Sequence, residues 1–208
     1  MQIHARVSQS LVNGPGRRAV LWFQGCTLRC PGCWNPTTHM FDVVNECTAD
    51  EIAEWIVQCS NIEGVTFSGG EPFQQAEALL ELCQQVNAKR PELSLGLFSG
   101  YTIRELSAGR WQYRSAHDSR WHCGAPELFE QIKAHLDFGV FGRFVRARAT
   151  SAKPLCGSEN QEVVFFTNRY SMSDLRPQSC EINISPNGEK MTVTGFPSAE
   201  LIRSLTQH

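Results

Sequence analysis

The sequence contains no apolar run of the roughly eighteen residues needed to cross a bilayer, and its N-terminus has no signal-peptide apolar region. Neither a membrane partner nor export is expected. Net charge is also small: 19 Lys and Arg stand against 21 Asp and Glu, a balance of -2, with a pI of about 6.3. Long basic runs are missing, so nucleic-acid binding is not indicated. Arg143, Arg146 and Arg148 form only a short basic stretch, expected on the exposed face of a strand. Six histidines, His4, His39, His117, His122, His135 and His208, show no repeated metal-ligand spacing, and solvated or core roles suit each. The nine cysteines are odd in number, and six of them, Cys47, Cys59, Cys83, Cys123, Cys156 and Cys180, are scattered singly. That pattern is a poor disulfide framework and fits a reducing, cytoplasmic compartment.

What the sequence does have is the run Cys26-Thr-Leu-Arg-Cys30-Pro-Gly-Cys33-Trp34, a C-x3-C-x2-C spacing followed by an aromatic. A structural zinc site would need a fourth ligand from a second paired motif; none exists, and His39 is the nearest candidate. Three thiolates on one tight loop suit an iron-sulfur cluster better. A cubane 4Fe-4S cluster normally takes four cysteines, so three leave one iron without a protein ligand. An open coordination position marks a reactive metal site.

About forty residues on, Val65-Thr-Phe-Ser68-Gly69-Gly70-Glu71-Pro72 begins as a β-branched apolar run and ends in two glycines, a Glu and a Pro. It is expected to be a buried strand stopping in an exposed turn. Glycines there would let a ligand approach the backbone. The Glu71 carboxylate and nearby carbonyls would suit a ligand ammonium group, which brings donors and needs acceptors.

Taken together, these residues resemble the radical S-adenosylmethionine (SAM) superfamily. Asn13-Gly14-Pro15-Gly16-Arg17, Leu21-Trp-Phe-Gln24-Gly25 leading into the cysteines, Trp34-Asn35, Ser99-Gly100-Tyr101 and Gly157-Ser158-Glu-Asn160-Gln161 extend the resemblance to glycyl-radical-enzyme activases, most of all those of anaerobic ribonucleotide reductase. The resemblance covers about residues 10 to 106 and 126 to 166. It implies that Cys26, Cys30 and Cys33 bind three irons of one 4Fe-4S cluster and that SAM chelates the fourth. It implies also that Ser68, Gly69, Gly70 and Glu71 hold the methionine end of SAM, that Trp34 lies against the adenine and that Ser99 supplies a further polar contact. Where activases carry Asp-x-Lys, this chain has Phe141-Gly142-Arg143. Arg143 could keep the carboxylate contact through its guanidinium fork. Phe141 cannot replace the acid that contacts the ribose, which leaves Asp137 or another group to do so. The implied chemistry is reductive cleavage of SAM to a 5'-deoxyadenosyl radical that abstracts hydrogen. The protein then contributes position and exclusion of side reactions, and no catalytic residue beyond the cluster ligands is expected.

Strands and helices alternate along the chain. Ala19–Phe23, Gly64–Phe67, Leu93–Phe98 and Phe138–Val145 are expected as strands, and a helix is expected after the Thr48-Ala-Asp-Glu51 capping box, another over Gln74–Lys89 and another over Pro126–Leu136. Alternation predicts an α/β fold with a parallel sheet, its ligand at the carboxyl ends of the strands. The resemblance implies a partial, open βα barrel. Residues 1–170 are expected as the radical SAM core, with an insertion at about 107–125 that covers the site, touches a partner or is a surface loop anchored by its tryptophans. Residues 171–208 are expected as a C-terminal extension packed on the core, built on a β-hairpin turning at Asn187-Gly188.

Three functions follow for comparison. The first is activation of a glycyl radical enzyme, with flavodoxin or ferredoxin as the implied electron donor. A second is a stand-alone radical SAM enzyme acting on a peptide or small molecule. The third is a non-catalytic iron-sulfur electron-transfer module.

Overall fold

The structure, a computed structural model, describes residues 1–41, 46–184, 191–197, 201 and 204. A six-stranded mixed sheet lies at its centre. Strand β1 (Ile3–Ser10) alternates buried and exposed residues, as an edge strand with one covered face should. It pairs antiparallel with β2 (Arg18–Phe23), which is buried along its whole length. Helix α1 (Ala49–Gln58) follows, opened by the expected capping box between Thr48 and Glu51. Strand β3 (Gly64–Gly69) then leads through a short 3-10 turn (Pro72–Gln75) into α2 (Ala76–Lys89). Strand β4 (Ser94–Ser99) ends at a second capping box, Thr102 with Glu105, that starts α3 (Ile103–Ser107). The 107–125 segment holds two short antiparallel strands, β5 (Gln112–Arg114) and β6 (Trp121–Cys123). Helix α4 (Pro126–Lys133), β7 (Phe138–Phe141) and β8 (Glu162–Phe165) complete the sheet. Its order is β1-β2-β3-β4-β7-β8, with β2, β3, β4 and β7 parallel and β8 antiparallel. The parallel strands are mostly apolar because they are buried within the sheet.

Two expectations from the sequence need correction. Strand β7 stops at Phe141, four residues short of Val145, because Gly142 turns with φ +116° and donates its N–H to Ser99 O and Tyr101 O, both at 3.0 Å. Arg143, Arg146 and Arg148 therefore lie on no strand face; Arg146–Arg148 is a 3-10 turn. Helix α4 also ends early, at Lys133. Strands β9 (Cys180–Ile184) and β10 (Met191–Gly195) pair antiparallel. The Asn187-Gly188 turn lies outside the described residues.

The main core packs Leu21, Phe23, Phe67, Leu95 and Leu97 of the sheet against Ile52, Ile56, Leu79, Leu82, Phe129 and Ile132 of the helices. Each such side chain contributes roughly 1.5–3 kcal/mol by leaving water. A smaller cluster, with Phe138, Val140, Leu155, Cys156 and Leu175, is formed by β7 and the chain that follows it.

At the amino ends of the parallel strands a charge is fully buried. Arg18 Nε donates to Thr66 Oγ1 at 2.7 Å, Nη1 to Pro15 O at 3.0 Å and Ser94 Oγ at 2.7 Å, and Nη2 to Val65 O at 2.8 Å and Ser94 O at 2.9 Å. All five donors of the guanidinium are thus used on neutral acceptors from β3, β4 and the preceding loop. Burial pulls its pKa down to about 10, which leaves it charged at neutral pH.

Candidate functional site

The carboxyl ends of β2, β3 and β4 carry the other polar construction. Register places Trp22 beside Ser68 and Phe23 beside Gly69, so the chain entering the cysteine loop and the Gly69-Gly70-Glu71 turn leave the sheet together. Gly70 N–H donates to Phe23 O at 2.8 Å and Glu71 N–H to Gly25 O at 2.9 Å. The glycines are demanded by this contact. Gly69 has φ +104°, and a Cβ on it would stand 2.5 Å from Phe23 N; on Gly70 it would stand 2.3 Å from Gly25 O. Room for an approaching ligand was the expected reason for glycine. The close neighbour found at both positions is the cysteine-bearing chain itself.

Cys26, Cys30, Cys33, Ser68, Gly69, Gly70, Glu71 and Ser99 all line one cleft of about 120 Å³. The three cysteines are free thiols. Burial, first, and the Glu71 charge push the Cys26 thiol up to about 12, and burial also raises that of Cys33. The raised thiols of Cys26 and Cys33 hold their protons, so a metal must displace them on binding. Among the described residues no three His, Cys, Asp or Glu side chains stand where one metal ion could take them all. A cubane makes no such demand, since each cysteine ligates a separate iron. Three thiol donors around one cleft fit that group.

Glu71 itself faces inward. It is fully buried: its Oε1 accepts from Phe73 N–H at 3.0 Å and Ser99 Oγ at 2.9 Å, and its Oε2 from Gly100 N–H at 2.7 Å. Burial outweighs these bonds and raises its pKa to about 7. The carboxylate thus ties the end of β3 to the end of β4, and Ser99, which also accepts from Tyr101 N–H at 3.0 Å, is part of the same knot.

Two glutamines outside the predicted set of site residues complete the frame. Gln74, fully buried, donates to Thr27 Oγ1 at 2.6 Å and Tyr101 OH at 3.1 Å and accepts from Thr27 N–H at 2.9 Å, clamping the cysteine loop between its first two cysteines. Gln24 donates to Thr37 O at 3.2 Å and Met40 O at 2.6 Å, holding the chain downstream of Cys33. Their signal was position alone: Gln24 precedes the cysteines, and Gln74 follows Glu71-Pro72.

The remaining candidates spread out. Trp34, 41% exposed, packs edge-on against Phe144 and Phe196, with ring centroids 6.3 and 6.4 Å away. Arg143 is not in the cleft lining; its Nη1 is paired with Glu105 Oε1 at 2.8 Å and Oε2 at 2.9 Å, and its guanidinium lies over Tyr101. Phe141 belongs to the main core. Asp137 cannot supply the missing acid: it sits at the amino end of β7, accepting from Leu95 N–H at 3.1 Å and Thr167 Oγ1 at 2.7 Å. Gly142 and Gln161 come to the cleft instead, with Gln161 Nε2 donating to Gly142 O at 2.9 Å.

The 107–125 segment lies beside this cleft without lining it. Trp111 is buried against Phe73 and donates its indole N–H to Leu106 O, while Trp121 packs on Phe41, just downstream of the cysteine loop. Among the described residues no helix is long and apolar enough to cross a membrane.

Comparison with known proteins gives a consistent set of likenesses. Residues 12–164 match the family described as a 4Fe-4S single cluster domain. The chain is 28% identical over 173 residues, 80% of its own length and 99% of the relative's, to an anaerobic ribonucleoside-triphosphate reductase-activating protein of Vibrio cholerae. It is 30% identical to the protein of the same description from Salmonella typhi over 118 residues, 54% of this chain and 77% of that one. A pyruvate formate-lyase-activating enzyme of Clostridium pasteurianum is 42% identical over 92 residues, 40% of this chain and 39% of the relative.

Proposed function

The chain belongs to the 4Fe-4S single cluster domain family and groups with the anaerobic ribonucleoside-triphosphate reductase-activating proteins, and from that premise we propose how its own residues do the work of a radical SAM activase. It is an oxidoreductase with one 4Fe-4S cluster and SAM as cofactors, and its substrate is a protein, a glycyl radical enzyme. The observation that carries this reading is the single cleft lined by Cys26, Cys30, Cys33 and the Gly69-Gly70 turn. When bound, the cluster and SAM together supply a 5'-deoxyadenosyl radical for hydrogen abstraction.

Cys26, Cys30 and Cys33 hold the cluster in this proposal. Carbonyls of the Ser68–Gly70 turn accept from the methionine ammonium, which brings donors only. Glu71 and Ser99 act as positioning residues, fixing that turn against β4. Trp34 lies against the adenine. Arg143, whose pair with Glu105 uses only Nη1, takes the SAM carboxylate. Gln161, whose Oε1 accepts from Ser158 N–H and whose Nε2 donates to Gly142 O, gives its second Nε2 hydrogen to a ribose hydroxyl, which Phe141 has no polar atom to meet. Four parallel strands ending around one cleft support a partial, open βα barrel over residues 1–170, with 171–208 as an extension built on a hairpin. Flavodoxin or ferredoxin is the proposed electron donor.

Anaerobic reconstitution with iron and sulfide, followed by dithionite and SAM, tests the proposal. Wild-type protein is expected to release 5'-deoxyadenosine. Cys30→Ala should abolish cluster absorbance, while Cys83→Ala, which alters a core residue of α2, should retain it. Equal loss in both variants would show that the ligands are wrongly chosen.

A further inference from the structure

The residues beyond the family match are not remote from the site. Strand β9 docks on the loop between β1 and β2, where Leu11 N–H donates to Glu181 Oε1 at 2.8 Å; strand β10 docks beside it, Asn13 Nδ2 donating to Thr194 Oγ1. Thr194 is buried, and Phe196 N–H returns to Ser179 O at 3.0 Å, which fixes the end of β10. From this anchored end the Phe196 ring reaches Trp34, directly after the last cysteine of the loop.

Beside them lies a second chamber of about 160 Å³, which shares Cys33, Ser68, Phe98, Phe144 and Gln161 with the cysteine cleft as lining. Its far wall is Val193–Phe196. Among the described residues no Asp, Glu, Lys or Arg lines it; aromatic rings and the amides of Asn35 and Gln161 do, together with Asn13, whose Nδ2 is spent on Ser10 and Thr194. An uncharged flat heterocycle with ring nitrogens and hydroxyls matches such walls, since rings offer apolar faces and amides offer both donors and acceptors. A charged group would be desolvated there without a partner.

Resting on the radical SAM reading, we infer that the C-terminal extension is a working wall of the nucleoside pocket, with Phe196 as the positioning residue that closes Trp34 over the adenosyl group. The extension thereby makes tight nucleoside binding depend on a segment outside the family match, which ends at residue 164.

Calorimetric binding of SAM to the reconstituted, unreduced protein separates the possibilities without measuring turnover. Phe196→Ala should weaken SAM binding about tenfold, the effect of removing one aromatic contact. Phe196→Tyr should restore most of the affinity. Ile182→Ala, on the exposed side of β9, should bind as wild type does. Binding of free methionine should be unaffected by Phe196→Ala, because the change lies at the nucleoside end. If wild-type protein binds no SAM, the radical SAM reading itself fails. If wild type binds and Phe196→Ala binds equally well, or loses methionine binding in step with SAM binding, the inference about the extension is overturned.

Discussion

Arg18 begins β2 at one end of the parallel strands, and Glu71 follows β3 at the other. Both are fully buried, both make several hydrogen bonds, and among the described residues neither is held by a side chain of opposite charge in direct contact. Their surroundings differ. Arg18 spends every donor on fixed acceptors and closes its end of the sheet; the guanidinium keeps its charge because it is too basic for burial to neutralise. Glu71 is bound as tightly but borders an open cleft, and burial brings its titration into the neutral range. One end of the sheet is built to be finished, the other to be completed by something bound.

Several measurements would break or sharpen that contrast. The largest effect should come from Arg18→Ala, which strands acceptors on Thr66, Ser94, Val65 and Pro15 inside the protein. A loss of about 4 kcal/mol or more in denaturant unfolding of the cluster-free protein is expected. A loss below about 1 kcal/mol would mean that the closed end carries no special strength.

Next comes Glu71 and pH. Its folded pKa of about 7 lies above the ordinary value of 4.5, so the folded state holds its proton where the unfolded state releases it. Its contribution to stability is complete below about pH 4.5, declines as pH rises to 7 and is flat above. The cluster-free protein should lose up to about 3 kcal/mol over that window through this group. In Glu71→Gln that decline should vanish. An unchanged slope in the variant would move the titration elsewhere.

The smallest effect belongs to Arg143→Ala. Its pair with Glu105 is exposed to water, 41% of the Arg143 side chain remaining accessible, and should be worth under about 1 kcal/mol of stability. SAM affinity should fall distinctly more than stability if the carboxylate role is right; parallel losses would reduce Arg143 to a surface pair.

Much of the parallel sheet could be read from sequence because β2, β3 and β4 are mostly apolar, and Thr48 and Glu51 announce α1 without ambiguity. The end of β7 could not. Phe141-Gly142-Arg143-Phe144-Val145 has strand composition, and only the carbonyls of Ser99 and Tyr101, distant in sequence, make Gly142 turn. Site residues divide in the same manner. The cysteines carry their chemistry in their spacing, whereas Gln74 and Gln161 owe their importance to what folding brings within hydrogen-bonding reach. Glu71 was recognisable by position but not by orientation: nothing in Gly-Gly-Glu-Pro says that the carboxylate will be consumed by Phe73, Ser99 and Gly100.

Gly70 and Glu71 grip the chain above the cysteines through backbone hydrogen bonds alone. The turn is thereby fixed to the chain that enters the cysteine loop by the polypeptide's own bonds. Metal affinity need not be diverted into folding a ligand loop, as it is in proteins that collapse without their metal.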